Sequence, residues 1–334
     1  MRPDAPAATR TAHSAATGGA PVDRAAALAP GGVGNIGPGL DVLGMAVTGP
    51  GDRVIAERAA QRGVTMADAG HPELPREATM NAAGIAAIAV LERTGSPTLG
   101  VRLTLEKRLP LSGGQGGSAA SAVAGAVAVN RLLGNPLDAV ALFECALAAE
   151  SALSGRHGDN LASALFGGIV LVRSLDPTDI ISLPVPGALR VVLAHPAQRL
   201  NTADARSVLP RFIERNAAIA QMANVAAMVA AFACGDIALL GRALDDQIAE
   251  PARAVLLPGF PEAKAAALRA GALAGSISGA GPTSFYLTDD DAVAASIAAA
   301  VGDAYRSHGI ACETRIARVA LHGALTLPPD ATSA

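Results

Sequence analysis

Aromatic residues are scarce in this 334-residue chain, which has no tryptophan, two tyrosines and six phenylalanines. A core must therefore be built mainly from alanine, valine, leucine and isoleucine, and the length suffices for two domains. The three cysteines, Cys145, Cys234 and Cys312, lie far apart and lack metal-ligand spacing. Their separation predicts reduced, mostly buried thiols in a cytosolic protein.

A basic surplus is also missing, because the formal net charge is −3. Nucleic acid and acidic membranes are therefore not expected partners. No stretch has 18 uninterrupted apolar residues without turn signals and charges, which predicts no membrane span. Residues 1–23 lack the continuous apolar segment of a secretory signal and predict a disordered tail. We expect a cytoplasmic protein.

The most informative segment is Leu109–Asn130, LPLSGGQGGSAASAVAGAVAVN. A β-like run, 99–105, precedes its glycine-dense turn, and a small-residue segment after Ser118 favours a helix. A glycine-rich loop that opens a helix directs backbone N–H groups towards one point, at the positive end of the helix dipole. This arrangement predicts a phosphate site. The alternative is a tight strand-to-helix turn without a ligand.

The known nucleotide motifs do not fit this loop. A Walker A motif needs a lysine after its last glycine, whereas Gly117 is followed by Ser118 and Ala119. The formal G-x-G-x-x-G match at 32–37 is weak, since Pro38 and Gly39 stand where a helix should continue. Without a lysine, Mg²⁺ is the expected supplement for phosphate charge. Ser118 and Glu150 are its candidate ligands; a helix N-cap and a solvated carboxylate are their alternatives.

Other polar residues stand out near turns or helix ends, each with a structural alternative. Asn35 and Asp41 fit turn-making, Asn81 fits a cap of the helix predicted over 81–93, and Arg206 fits a solvated helix charge. Turns at 176–179 and 184–187 predict a domain boundary, which divides the chain into 24–180 and 181–326 with a tail at 327–334. The second part alternates strands and helices and predicts an α+β sandwich, with helices packed on an antiparallel sheet.

Six separate motifs, in order over roughly residues 25 to 325, resemble the GHMP kinases. The segment PLSGGQGGSAA at 110–120 is similar to the family's P-x-x-x-G-L-G-S-S-A-A loop, and SGAGPT at 278–283 to its carboxy-terminal motif. The other four resemble homoserine kinases within the family. They are APGGVGNIGPGLDVLGMAV at 29–47, G-x-H-x-D-N at 155–160, T-x-x-x-R-x-x-L-P at 202–210 and E-P-x-R at 250–253.

The resemblance implies an α+β, two-domain GHMP kinase fold, with a ribosomal protein S5 domain 2-like amino-terminal domain and a ferredoxin-like carboxy-terminal domain. It implies ATP as the phosphoryl donor, Mg²⁺ as cofactor and L-homoserine as acceptor. The implied nucleotide-binding residues are Asn81, Pro110, Leu111, Ser112, Gly113, Gly114, Gln115, Gly116, Gly117, Ser118, Ala119, Ala120 and Ser121. The implied acceptor-binding residues are Asn35, Asp41, Asn160, Thr202, Arg206, Arg253 and Gly279.

The resemblance also implies catalytic roles. Ser118 and Glu150 would hold Mg²⁺, and Asn160 stands where mevalonate kinase-like members have an aspartate base. We therefore expect no essential side-chain base, with positioning and electrostatics carrying phosphoryl transfer. Asp159 is the residue most able to overturn this expectation.

Three departures from the loop pattern matter: Gln115 replaces leucine, Gly117 replaces the first serine of the pair, and Ser112-Gly113 stands where Gly-Ser is common. Gly117 removes one hydroxyl that would bind phosphate or Mg²⁺. Nucleotide affinity or turnover is the property that this loss affects. The alternatives are a GHMP kinase for another small alcohol and, because of Gly117, a non-catalytic binder with this fold. A homodimer also remains open.

Overall fold

The computed structural model describes residues 18–328 and contains two β-sheets covered by helices. The strands in this range are β1 (Arg24–Gly34), β2 (Leu43–Arg58), β3 (Val64–Asp68), β4 (Val101–Glu106), β5 (Ile169–Leu175), β6 (Thr178–Leu183), β7 (Arg190–Pro196), β8 (Ala274–Ile277), β9 (Ser284–Thr288), β10 (Cys312–Ala317) and β11 (Leu325–Leu327). The α-helices are α1 (Ala82–Arg93), α2 (Gly117–Leu132), α3 (Ala139–Leu153), α4 (Asp159–Phe166), α5 (Thr202–Ser207), α6 (Arg215–Cys234), α7 (Ile237–Ala243), α8 (Ala249–Ala254), α9 (Phe260–Arg269) and α10 (Asp291–Ser307).

The first sheet has seven strands, in the order β11-β1-β2-β4-β3, with β5 beside β2 and β6 beside β5. Its pairs are antiparallel except β3 and β4, which run parallel and are joined through α1. α2 contacts β1, β2, α1, α3 and α4, and its small side chains are largely buried. Gly125 allows the closest approach, because a Cβ there would lie 2.6 Å from the carbonyl oxygen of Ala83. Alanine-rich composition thus gives a thin, closely packed helical layer.

The second sheet is antiparallel, in the order β10-β7-β9-β8. On one face Val192 and Tyr286 pack with residues of α9 and α10, including Ile297. On the other face Leu193 and Phe285 join a core cluster that also contains Met45 of the first sheet. The α+β class and the helices on an antiparallel sheet are confirmed, and a shared core holds the two domains together.

The chain departs from the predicted domain limits in three places. β6 crosses the predicted boundary at 180, and its buried Ile180 and Leu183 belong to the first sheet. β11 returns to that sheet and pairs with β1, so Leu327 of the predicted tail is a strand residue. The N–H groups of Gly19 and Val22 donate to carbonyls just beyond and at the end of α2. The rest of the two predicted tails, 1–17 and 329–334, lies outside the described residues.

Within residues 18–328, α6 is the one helix whose length and apolar composition could span a membrane, and 22% of its most apolar window is buried. Length and composition of this kind also occur in helices of globular domains. Gln221 of α6 donates to the carbonyl of Pro38 at 2.7 Å, and Asn224 to the carbonyl of Asp245 at 2.7 Å. These hydrogen bonds connect α6 to both domains.

Candidate active site

A cavity of about 530 Å³ opens between the two domains. Its floor is the glycine-rich loop at 110–117, and its walls come from the first turns of α2 and α4, the end of α3, and helices α5 and α8. Most of the predicted site residues line it. They are Asn35, Asp41, Asn81, Pro110, Leu111, Ser112, Gly114, Gly116, Gly117, Ser118, Ala119, Ser121, Glu150, Asn160, Thr202, Arg206, Arg253 and Gly279.

The glycine loop presents backbone rather than side chains to this cavity. Gly114 and Gly116 have φ values of 73° and 69°, the left-handed region that favours glycine. A Cβ on Gly114 would lie 2.6 Å from the carbonyl oxygen of Ser278. α2 begins directly after Gly116, and no side chain caps its free N–H groups. This uncapped helix start can bind an anion.

Three predicted loop residues do not line the cavity. The side chain of Gln115 turns towards the second domain, where it contacts Thr283 at 3.4 Å and accepts from Arg315 at 3.3 Å. Gly113 is buried, and its carbonyl accepts from the N–H of Thr283 at 3.3 Å. Ala120 faces the core with no exposure. Packing against the second domain holds Gln115 and Gly113 behind the loop, whereas Ala120 packs in the core of the first domain.

A buried ion pair lies at the base of the loop, which sequence reasoning missed. Asp52 is fully buried, and Lys107 has 5% of its side chain exposed and donates to it. The Lys107 ammonium also donates to the carbonyl of Gly117 at 2.8 Å and lies 3.3 Å from the hydroxyl of Ser121. The only sequence signal was a charged step immediately before the loop.

The two predicted Mg²⁺ ligands lie on different helices that both face the cavity. Ser118 is exposed in the first turn of α2, and Glu150 is partly buried near the end of α3. Burial, and secondarily the charge of Asp159, raise the pKa of Glu150 to about 7. One hydroxyl and one carboxylate fit Mg²⁺, which usually takes few protein ligands alongside water and phosphate oxygens. The charge of Arg206 acts in the opposite direction, but burial has the larger effect on this pKa.

Asp41 and Arg206 form a charged pair across the domain interface. The two guanidinium Nη atoms donate to the two carboxylate oxygens at 3.2 and 2.7 Å, which is a bidentate contact. The Nε atom of Arg206 is buried and has no hydrogen-bond partner among residues 18–328. One donor of this guanidinium is therefore left without an acceptor in the described part of the chain.

Asn35 and Arg253 converge on the turn that contains Gly279. Nδ2 of Asn35 donates to the Gly279 carbonyl at 2.9 Å, and Nη1 of Arg253 donates to it at 2.8 Å. Arg253 is 2% exposed and also donates to the carbonyl of Ala205 at 3.0 Å. Asn35 itself, with φ 68°, accepts from the N–H of Asp41 at 3.1 Å. These bonds fix the positions of Asn35 and Arg253 on this side of the cavity.

Asp159 and Asn160 begin α4 beneath both glycine turns. Oδ2 of Asp159 accepts from the N–H of Asn35 at 3.0 Å and lies 3.5 Å from Nδ2 of Asn160. Oδ1 of Asn160 is buried without a partner in the described part of the chain, and a Cβ on Gly116 would lie 2.9 Å from it. Burial, followed by the charge of Asp41, raises the pKa of Asp159 to about 6. Asn160 thus has an acceptor without a donor beside the glycine loop.

Asn81 has the structural role that the sequence left as its alternative. It caps α1 by accepting from the N–H of Ala83 at 3.1 Å, and its Nδ2 donates to the carbonyl of Pro75 at 3.0 Å. Beside it, Leu74 and Met80 give this end of the cavity an apolar wall. The predicted adenine contact of Asn81 stays a prediction.

Other cavity residues were not predicted. His157 lines the cavity, and burial lowers the pKa of its imidazole. At one edge, exposed Arg199 of the second domain forms a bidentate ion pair with Glu73 of the first, with N–O distances of 2.8 and 2.9 Å. This contact joins segments 126 positions apart, so local sequence could not reveal it.

Comparison with known proteins agrees with this architecture. The family model "GHMP kinases N terminal domain" matches residues 81–168, which include the glycine-rich loop, Glu150 and Asn160. The model "GHMP kinases C terminal" matches residues 227–307, which include Arg253 and Gly279. The chain belongs to the GHMP kinase family, a family of small-molecule kinases.

Its relatives within that family are homoserine kinases. The homoserine kinase of Chlorobium phaeovibrioides is 44% identical over 271 residues, which cover 77% of this chain and 84% of the relative. That of Chlorobium phaeobacteroides (strain BS1) is 41% identical over 285 residues, 82% of this chain and 89% of the relative. The crystal structure of homoserine kinase from Cytophaga hutchinsonii has a TM-score of 0.88 and 39% identity, and covers 94% of this chain and 100% of that one.

Proposed function

We propose that this protein transfers the γ-phosphoryl group of ATP to the hydroxyl of L-homoserine and forms O-phospho-L-homoserine for threonine synthesis. The observation that carries the proposal is the pairing of Asp41 with Arg206 in the same cavity as the phosphate loop. An amino acid carries an ammonium and a carboxylate, and these two groups complement that pair. The free Nε of Arg206 and the nearby Arg253 add donors for the carboxylate.

The remaining residues position the reacting groups. The free N–H groups at the start of α2 would bind phosphate oxygens, and Oδ1 of Asn160 would accept a hydrogen bond from the acceptor hydroxyl. Ser118 and Glu150 would hold Mg²⁺, which offsets phosphate charge when bound. Placement between two domains also limits access of water to the phosphoryl group.

No essential side-chain base is part of the proposal. The side chain at position 160 is an amide, and the buried carboxylate of Asp159 already accepts from the backbone of Asn35. Positioning and electrostatic stabilisation suffice for phosphoryl transfer. Asp159→Asn should therefore lower kcat less than about 1,000-fold with homoserine binding intact. A larger loss would instead support Asp159 as a general base.

One assay separates the candidate functions. A coupled assay with ATP and Mg²⁺ would compare homoserine, mevalonate, galactose and shikimate as acceptors. We expect the enzyme to prefer homoserine. Preference for a neutral sugar or a hydroxy acid would contradict the proposed acceptor. Bound ATP without any phosphorylation would instead favour a non-catalytic binder. Cytoplasmic location, a homodimer, and the lack of nucleic-acid and membrane partners stay predictions.

A further inference from the structure

Helix α6 buries one polar side chain while it exposes apolar ones. Ile219 and Met222 are 52% and 64% exposed, whereas Gln221 between them is 7% exposed. The other buried residues of the helix are apolar and lie in its second half. Burial of an amide costs free energy unless the amide is hydrogen-bonded. The partners of Gln221 must therefore account for its inward position.

The Gln221 amide has three hydrogen-bond partners on two segments of the chain. Nε2 donates to the carbonyl of Pro38 at 2.7 Å and to Oδ1 of Asp246 at 3.0 Å. Oε1 accepts from the N–H of Gln247 at 2.8 Å. Both Nε2 protons are thus used, one on each segment. Because Pro38 belongs to the first domain and Asp246 to the second, this single amide joins the two domains.

The segment around Pro38 is a turn with an unfavourable backbone. It connects β1 to β2, and within it Asn35, Ile36 and Asp41 have φ values of 68°, 46° and 61°. Positive φ is uncommon outside glycine and especially unfavourable for a β-branched residue such as isoleucine. A turn of this kind keeps its shape only where surrounding contacts hold it. Gln221 supplies one such contact, and Asn35 and Asp41 line the cavity.

The other partner, Asp246, fixes the start of α8. It is 6% exposed, and its carboxylate accepts from the N–H groups of Ile248, Ala249 and Glu250 at 2.9, 3.0 and 2.9 Å. These N–H groups are otherwise unpaired at a helix start, so the carboxylate determines where the helix begins. The same short helix carries Arg253 into the cavity.

We propose that Gln221 is a positioning residue for the phosphoryl acceptor. Through Pro38 and Asp246, its amide sets the distance between the turn that carries Asp41 and the helix that carries Arg253. Gln221 and its two partners are not among the residues that line the cavity, so the amide acts through the groups it holds. The inference rests on the proposed function in that a small acceptor binds between Asp41 and Arg253, but that acceptor need not be homoserine.

Gln221→Met tests the proposal, because methionine has a similar length but makes none of the three hydrogen bonds. Steady-state kinetics with ATP and the acceptor varied separately give both KM values. We expect KM for the acceptor to rise about 30-fold, because the turn and α8 are no longer held together. KM for ATP should change less than about twofold, since the partners of Gln221 lie outside the glycine-rich loop. Calorimetry of acceptor binding, with a non-hydrolysable ATP analogue present, makes the same comparison without turnover.

Asn224→Leu is the matched control on the same helix. The Asn224 amide donates to the carbonyl of Asp245 at 2.7 Å, so it also joins α6 to the segment before α8. Within residues 18–328 it has no hydrogen bond to Pro38. Asn224→Leu should therefore leave KM for the acceptor within about twofold, even where thermal unfolding shows a similar loss of stability in both variants.

Two results would overturn the inference: an unchanged KM for the acceptor in Gln221→Met, or an equal rise in both KM values, which a general structural role would produce. If Gln221→Met fails to fold, Gln221→Asn decides. It keeps an amide but is one carbon shorter and cannot reach both segments, so it must raise KM for the acceptor at least about fivefold. The acceptor is the compound that the wild type prefers, so preference for another alcohol would contradict the proposed function and leave this test intact.

Discussion

The proposed nucleotide and acceptor halves of the cavity are built differently. The nucleotide half lies within one domain and uses backbone N–H groups, left-handed glycines and one buried ion pair, Lys107 with Asp52. The acceptor half brings side chains from both domains together, with Asp41 and Asn35 on one side and Arg206 and Arg253 on the other. The comparison teaches that one half uses groups of a single domain, whereas the other exists only when the two domains are assembled.

The largest effect is expected from a substitution that impairs only the nucleotide half. Glu150→Gln should lower kcat about 1,000-fold, because an amide cannot replace the carboxylate as an Mg²⁺ ligand near phosphate charge. Steady-state kinetics over a Mg²⁺ titration would measure this, with homoserine binding little changed. Glu144→Gln, on the same helix but bonded to Thr178 and Arg93, should stay within about twofold. A loss below tenfold with unaltered Mg²⁺ dependence would contradict the assignment.

The next largest effect is expected from a substitution in the acceptor half. Arg206→Met should raise KM for homoserine about 100-fold, because the substrate carboxylate loses a charged bidentate donor and Asp41 loses its partner. KM for ATP should change less than about threefold. Arg211→Met, at an exposed position close by, is the control and should resemble the wild type. Equal changes in both KM values would mean that the two halves are not separate.

A smaller effect concerns Asp159, which lies between the halves. Its pKa of about 6 is above the ordinary value of 3.8, so the folded protein holds the proton more tightly than the unfolded chain. Stability is therefore lost as pH rises through this interval, and the cost of the buried charge is complete above about pH 6.

Asp159→Asn should accordingly raise the melting temperature by about 2–4 °C at pH 8 and by less at pH 5. Thermal unfolding at the two pH values measures the difference. A stabilisation that grows as pH falls would show that burial does not dominate this carboxyl.

The smallest effect is expected from a substitution at the edge of the cavity. Glu73→Gln removes the exposed ion pair with Arg199, in which 51% and 69% of the side chains are exposed. Exposed pairs contribute about 0–1 kcal/mol, so KM for ATP should change less than about twofold. Repeating the kinetics in high salt gives the control, since salt should produce the same small change in the wild type. A tenfold change would make the pair part of the nucleotide half.

Local sequence predicted most elements because hydrophobic period and turn residues report them directly. The helix over 81–93 and the strand before the phosphate loop agree with α1 and β4 within two residues. β6 was missed because Asp176 and Pro177 were interpreted as part of a linker, although they form the turn of a hairpin. α8 was missed because Pro251 and a short length hid it, while Asp246 accepts from three N–H groups at its start.

In the candidate site, too, local patterns in the sequence predicted some residues, whereas contacts between distant segments determined others. Gly114, Gly116 and Ser118 follow from the loop pattern, and Arg206 and Arg253 entered through the family resemblance. Lys107 was passed over because its partner Asp52 is 55 positions away in sequence. Gln115 was assigned to the nucleotide for its position in the loop, but domain packing turns its side chain to Thr283.

By itself, the sequence determined the α+β class, the glycine-rich loop that opens a helix, and the family, because these depend on local period, turn chemistry and ordered motifs. Only the tertiary structure decided which charges meet: Asp41 with Arg206, Lys107 with Asp52, and Asp159 beneath both turns. The physical reason is that charge interactions depend on distance and burial. Those two quantities are set when the sheets and helices pack.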